Sequence, residues 1–225
     1  MTTRWIRWSL PFFGCLAVAF FSLSWWFLHA TPGQYRDVFN LVYRHPMGAF
    51  NRQPNQLLMD TVASITPGRA LDVAMGQGRN AVYLSTKGWD VTGFDVSDEA
   101  LRQADVRATE AGVRIRTVRE SSEAFDYGRE QWDLIVFSYA FAPIRDPAYI
   151  RRIHDSLKPG GMVVFEHYIG VPGVQSAIGT VPPAELPRLF ADFKILRHDE
   201  TTAKSDWQFG RRARIARLVA IKRGD

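Results

Sequence analysis

The stretch Ala70–Asn80, ALDVAMGQGRN, decides the fold. Its first half is a short apolar run that reads as a buried parallel strand, and its second half is a glycine turn that opens the next helix. Asp72 lies inside the run. A buried carboxylate costs free energy unless something answers it, so an acid at this position needs a reason of its own, and a ligand supplies one.

Outward from this stretch, strands and helices alternate. The pattern predicts strands over 69–74, 90–95, 114–119, 132–138, 161–167, 193–200 and 212–222. It predicts helices over 79–87, 98–111, 147–156 and 183–190, the last after a proline-rich link. Such alternation implies a mostly parallel sheet covered by helices on both faces. Before it, Gln34–His45 carries Tyr35, Val38, Phe39, Leu41 and Val42 at helical spacing, a face for the domain or for a membrane surface. A helix from about Pro54 to Ser64 follows, and Pro67-Gly68 stops it.

The chain has 225 residues, 46% of them apolar, enough for one well-filled core. Leu10–Leu28 adds 19 residues without a charge, preceded by Arg4 and Arg7. At about 1.5 Å per residue this run nearly crosses a hydrocarbon layer of roughly 30 Å. A single membrane-spanning helix is the first reading, and a cleaved signal peptide ending near Ala30 is the rival. The division is therefore 1–30 as anchor or signal, 31–66 as a helical lead-in and lid, and 67–225 as the main domain. Arg4 and Arg7 favour a cytoplasmic N-terminus, whereas Arg36 and Arg44 favour the opposite orientation.

Cys15, the only cysteine, falls inside the apolar run, so the domain has no cysteine nucleophile and no disulfide. Without residues 1–30 the formal charge falls from +5 to +3, too little to argue for nucleic acid. No HExxH or Cys cluster is present, His45 and His198 show no ligand spacing, and His154 reads as a surface or packing residue of a helix, so no metal is expected.

In open parallel sheets ligands bind beyond the carboxyl ends of the strands, near the reversal of strand order. Gly76 and Gly78 bend the chain there and let amides approach a ligand at a helix N-terminus. Asp95 ends the second predicted strand 19 residues after Gly76, where a carboxylate can accept both hydroxyls of a ribose. Ser97 is the alternative cap for the following helix. Together they point to a nucleoside, either a nicotinamide or flavin dinucleotide or S-adenosylmethionine. Asp72 would repel a pyrophosphate and attract a sulfonium with an α-amino group.

The chain resembles the class I S-adenosylmethionine-dependent methyltransferases. ALDVAMGQGRN is similar to their glycine-rich first motif, GFDVS to the motif with the ribose-binding acid, WDLIVFSYAF to the fourth-strand motif and LKPGGMVVFE to the motif opening the fifth strand. GQGRNAVYLSTKGWDVTGFD is most similar to the small-molecule branch that includes tellurite-resistance and thiopurine methyltransferases. Met75 stands where that family usually has cysteine or glycine.

The resemblance implies a Rossmann-like three-layer α/β/α sandwich with a mostly parallel seven-stranded sheet. It implies S-adenosyl-L-methionine as cofactor. Asp72, Ala74, Gly76, Gly78 and Asn80 would surround its methionine part, Asp95 the ribose, Val96 the adenine face, and Glu120 and Ser121 the adenine amine. Ser138 and Tyr139 would face the methyl-transfer centre, with His167 and then Tyr139 as candidate bases, and Asn51 and Arg52 as lid residues. SYAF replaces the Asn/Asp-Pro-Pro-aromatic motif of amino-group methylation, leaving a small-molecule or unidentified acceptor. A non-catalytic binding module and an NAD-dependent oxidoreductase are the alternatives.

Overall fold

The structure is a computed structural model that describes residues 32–45, 50–170, 181–205 and 212–224. The elements are α1 (Pro32–Arg44), α2 (Gln56–Val62), β1 (Arg69–Val73), α3 (Arg79–Thr86), β2 (Asp90–Asp95), α4 (Asp98–Glu110), β3 (Arg116–Arg119), β4 (Trp132–Ser138), α5 (Pro147–Ser156), β5 (Leu157–Tyr168), α6 (Leu186–Leu189), β6 (Phe193–Lys204) and β7 (Arg212–Lys222). The expected run at Leu10–Leu28 lies outside the described residues. Among those described, no helix is long and apolar enough to cross a membrane.

The seven strands form one sheet in the order β3-β2-β1-β4-β5-β7-β6. β1 through β5 run parallel, and β7 pairs antiparallel with both β5 and β6. The strand order reverses between β1 and β4, so their carboxyl ends open the crevice where such sheets take ligands. Leu71 and Val73 pack with α5 and α6 on one face, while Ala70, Leu134 and Val136 pack with α2, α3 and α4 on the other. Both faces are covered, which is why the central strands carry almost unbroken apolar runs.

Alternation along β1 puts Asp72 on the α3 side, two positions from Ala70. Its Oδ2 accepts the Ala81 amide at 3.0 Å. α3 begins at Gly78, which has φ +75° and no side chain to cap with, so the strand carboxylate takes that role from below. A β-carbon at Gly78 would come within 2.8 Å of Ala104 Cβ on α4. Glycine is needed there for helix packing as well as for the turn.

Several boundaries differ from the sequence reading. α2 starts after Pro54, because Asn55 caps it through the Leu58 amide. β5 begins at Leu157, which pairs with Trp132, and the register then shifts across Lys158–Gly161, where Gly160 has φ +76°, before Met162 pairs with Leu134. β6 runs to Lys204 because β7 pairs with it along its length, and only Leu186–Leu189 of the expected 183–190 helix forms.

Candidate functional site

A cavity of about 520 Å3 opens at the carboxyl ends of β1, β2 and β4. Of the sequence-predicted residues, Asp72, Ala74, Gly76, Asn80, Asp95, Val96, Glu120, Ser121, Ser138 and Tyr139 line it. Gly78 does not; its contact is with α4. His167 does not either.

Asp95 is held at the cavity wall by two amides. Its Oδ2 accepts the Gly76 amide and its Oδ1 the Ser97 amide, both at 2.9 Å. Ser97 caps α4 by accepting the Ala100 amide, so the capping role falls to the serine and Asp95 is left to the cavity. Burial raises the Asp95 pKa to about 6 against the pull of its amide hydrogen bonds. Burial likewise raises Asp72 to about 7, opposed first by the neighbouring Arg79. Two buried carboxylates facing one cavity form a site that a cation or a set of hydroxyl donors would relieve.

Arg79, which sequence reasoning missed, is 7% exposed and lines the same wall. Its guanidinium donates to Ser138 Oγ at 2.8 Å and to the Gln53 carbonyl at 3.0 Å. Asn80 accepts the Asn55 amide at 2.8 Å, tying the turn to the start of α2. Two non-glycine residues at the site, Ala74 (φ +50°) and Tyr139 (φ +57°), adopt left-handed backbone conformations at the ends of β1 and β4.

Tyr139 leads into a buried polar network. Its hydroxyl donates to Glu166 Oε1 at 2.7 Å, and Asn55 Nδ2 donates to the same oxygen at 2.9 Å. Arg217 Nε donates to Oε2 at 2.6 Å. With its proton committed to a carboxylate, the phenol oxygen meets a ligand only as an acceptor. His167 is 3% exposed, beside the rings of Tyr139 and Phe141. Neither of its ring nitrogens has a hydrogen-bond partner, and burial lowers its pKa to about 4, so the imidazole is neutral at pH 7.

Tyr35, Phe39 and Tyr43 of α1, with Phe50, form one aromatic wall of the cavity, whereas Asn51 and Arg52 stand outside it. A β-carbon at Gly76, whose φ is +55°, would overlap the Tyr43 hydroxyl, so the glycine permits α1 to close this far. Asn40 Oδ1 accepts both the Ser97 hydroxyl and the Glu99 amide, docking α1 on the start of α4. Glu120 and Ser121 sit at the rim: Glu120 Oε1 accepts the Ser121 amide, and Ser121 Oγ accepts that of Ala124. Among the described residues no His/Cys/Asp/Glu group could hold a metal.

Residues 70–161 match the family profile described as a methyltransferase domain. That stretch of the chain is similar to a methyltransferase domain. The ubiquinone biosynthesis O-methyltransferase of Shewanella pealeana is 33% identical over 128 residues, covering 53% of this chain and 54% of that protein. The chain spans between about half and three-fifths of the length of the first curated relatives it matches. In fold it is similar to crystalline TehB from Haemophilus influenzae (TM-score 0.62, 21% identity, covering 84% of this chain and 68% of that one). It is also similar to Burkholderia thailandensis 1,6-didemethyltoxoflavin-N1-methyltransferase with bound S-adenosylhomocysteine (TM-score 0.58, 19% identity, covering 99% and 93%). The chain therefore has the Rossmann-like α/β fold of these methyltransferase structures, and the four quoted motifs lie along β1, β2, β4 and β5.

Proposed function

We propose that the chain is an S-adenosylmethionine-dependent methyltransferase that moves a methyl group to a small-molecule acceptor by in-line displacement. The observation that carries this reading is the pairing of Asp72 and Asp95, both buried, around one glycine turn and one cavity. The residues fit the cofactor: Asp72 suits its ammonium, Asp95 its ribose hydroxyls, Arg79 its carboxylate, and Phe94 and Val96 an apolar adenine face. The names of the matched relatives support the same chemistry, and S-adenosylhomocysteine in the toxoflavin enzyme supports the same cofactor.

Bound S-adenosylmethionine would supply a methyl group already activated on a sulfonium. The chain's part is to align an acceptor with that carbon and keep water out, which can lower a barrier by roughly 7–11 kcal/mol. The aromatic lid of Tyr35, Phe39, Tyr43 and Phe50 excludes water. Tyr139, held by Glu166, accepts a hydrogen bond from the acceptor's O–H or N–H and so orients its lone pair. Incubating the full chain with methyl-labelled cofactor and a pooled small-molecule extract tests the reading. Label moves into the extract if it is right, and stays put in a protein that binds the cofactor but only sequesters it.

We also propose that Leu10–Leu28 spans a membrane once and that the domain faces the cytoplasm, where the cofactor is made. Protease digestion of a C-terminal tag in sealed vesicles of both orientations tests this. Digestion only in inverted vesicles supports it, and digestion only in right-side-out vesicles contradicts it.

A further inference from the structure

A second hollow, of about 350 Å3, adjoins the first and shares Tyr43, Phe50 and Gln77 with it. The rest of its wall comes from the end of α1, the segment leading into α2 and one face of α4. It is strongly basic: Arg44, His45, Arg52, Arg102 and Arg107 face a single carboxylate, Glu110. Arg102 is already answered by Glu99, with Nη2 to Oε1 at 2.6 Å and Nε to Oε2 at 3.0 Å. Arg44, Arg52 and Arg107 have no ion-pair partner among the described residues.

Arg107 is the informative member. Its Nη1 donates to the Arg52 carbonyl at 2.9 Å and its Nη2 to Gln77 Oε1 at 3.0 Å, which fixes the guanidinium at the base of the hollow. Its Nε is buried and has no hydrogen-bond partner. Burial lowers its pKa, and the charges of Arg52 and Arg79 push the same way against Glu110. Helix C-termini alone attract Arg44 and Arg107. They do not explain why Arg52 is brought against a half-buried cation. An anion in the hollow would offset that repulsion.

We propose that this hollow binds a phosphate ester, whose tetrahedral oxygens can be shared by several converging guanidinium forks. The hollow is larger than a phosphate group, so the body of the ligand rests on the Tyr43–Phe50 wall that also closes the cofactor cavity. The ester belongs either to a soluble molecule or to an anionic lipid headgroup, since α1 follows closely on the apolar run at Leu10–Leu28. This inference does not depend on methyl transfer.

The test is a calorimetric titration of inorganic phosphate into the full chain in nonionic detergent micelles at low salt. Arg44→Ala/Arg52→Ala is the paired variant, because both side chains are exposed and the Arg52 carbonyl is retained. Binding at least tenfold weaker in the variant supports the site, and a parallel S-adenosylhomocysteine titration checks that the variant is folded. Repeating the experiment in micelles doped with phosphatidylglycerol identifies the source. If the phosphate signal disappears there, the headgroup occupies the site; if it survives, the ligand is soluble. Absence of phosphate binding, or equal binding in the variant, overturns the proposal. Loss of S-adenosylhomocysteine binding in wild type would count against the cofactor reading alone.

Discussion

At the scale of single residues, charge decides what the cavity selects. Arg79 is assigned to the cofactor carboxylate, so Arg79→Ala should weaken S-adenosylhomocysteine binding by roughly 1.5–3 kcal/mol, the range of a charged hydrogen bond. 5′-Methylthioadenosine, which lacks the amino acid part, should bind wild type and variant alike, and calorimetry of both ligands checks this. Asp72 and Asp95 are acids whose pKa values are raised in the folded protein, to about 7 and about 6. Each is protonated below its own value; Asp72 must ionise to hold the ammonium and Asp95 to accept both ribose hydroxyls. Affinity for S-adenosylmethionine should therefore be highest above pH 7 and fall by about tenfold per pH unit as each group protonates, with proton release on binding. Asp72→Asn should flatten the upper part of that profile. Asp72 and Asp95 were legible in the sequence because each is an acid at a fixed offset from a glycine turn. Arg79 was not, since an arginine in a first helical turn usually reads as a solvated face. Only the turn of α3 toward Ser138 and Gln53 shows that it points inward.

At the scale of elements, α1 is docked chiefly on α4, and that docking carries the aromatic wall of the cavity. Asn40 accepts two hydrogen bonds at the start of α4, so Asn40→Ala should destabilise the fold by about 1–3 kcal/mol. It should also loosen the aromatic wall, and urea unfolding with a parallel cofactor titration reads both effects. Gly78→Ala combines a positive φ with a collision against Ala104 and should cost about 1–3 kcal/mol in the same assay. The helical spacing of Tyr35, Val38 and Phe39 identified α1 as amphipathic. It did not reveal which apolar surface the helix meets, because periodicity is the same against a membrane, a core or a ligand. Asn51 and Arg52 were read as lid residues from position, whereas the wall is built from neighbouring aromatics. His167 stood at a strand end in the sequence, but β5 runs to Tyr168 and carries it into the packed layer.

At the scale of the whole molecule, the strand order brings every chemically marked position to one edge. β1, β2 and β4 end together because parallel strands joined by crossover helices share a direction, so motifs far apart in sequence meet around one crevice. That is why the fold and the cavity residues at the strand ends were legible from the order of the motifs, while the proposed acceptor half was not: side chains that would meet an acceptor have no fixed spacing. Tyr139→Phe is the sharpest probe of that half. It should lower turnover roughly 10- to 100-fold and leave S-adenosylhomocysteine affinity unchanged, because the hydroxyl is assigned to the acceptor.

Calorimetric titration of S-adenosylhomocysteine into the full chain, with Asp95→Ala as the pair and thermal melting to show that both are folded, is the decisive experiment. Wild type should bind in the micromolar range and the variant at least tenfold more weakly. No heat of binding to folded wild-type protein, or equal affinity in the two, would contradict the cofactor reading.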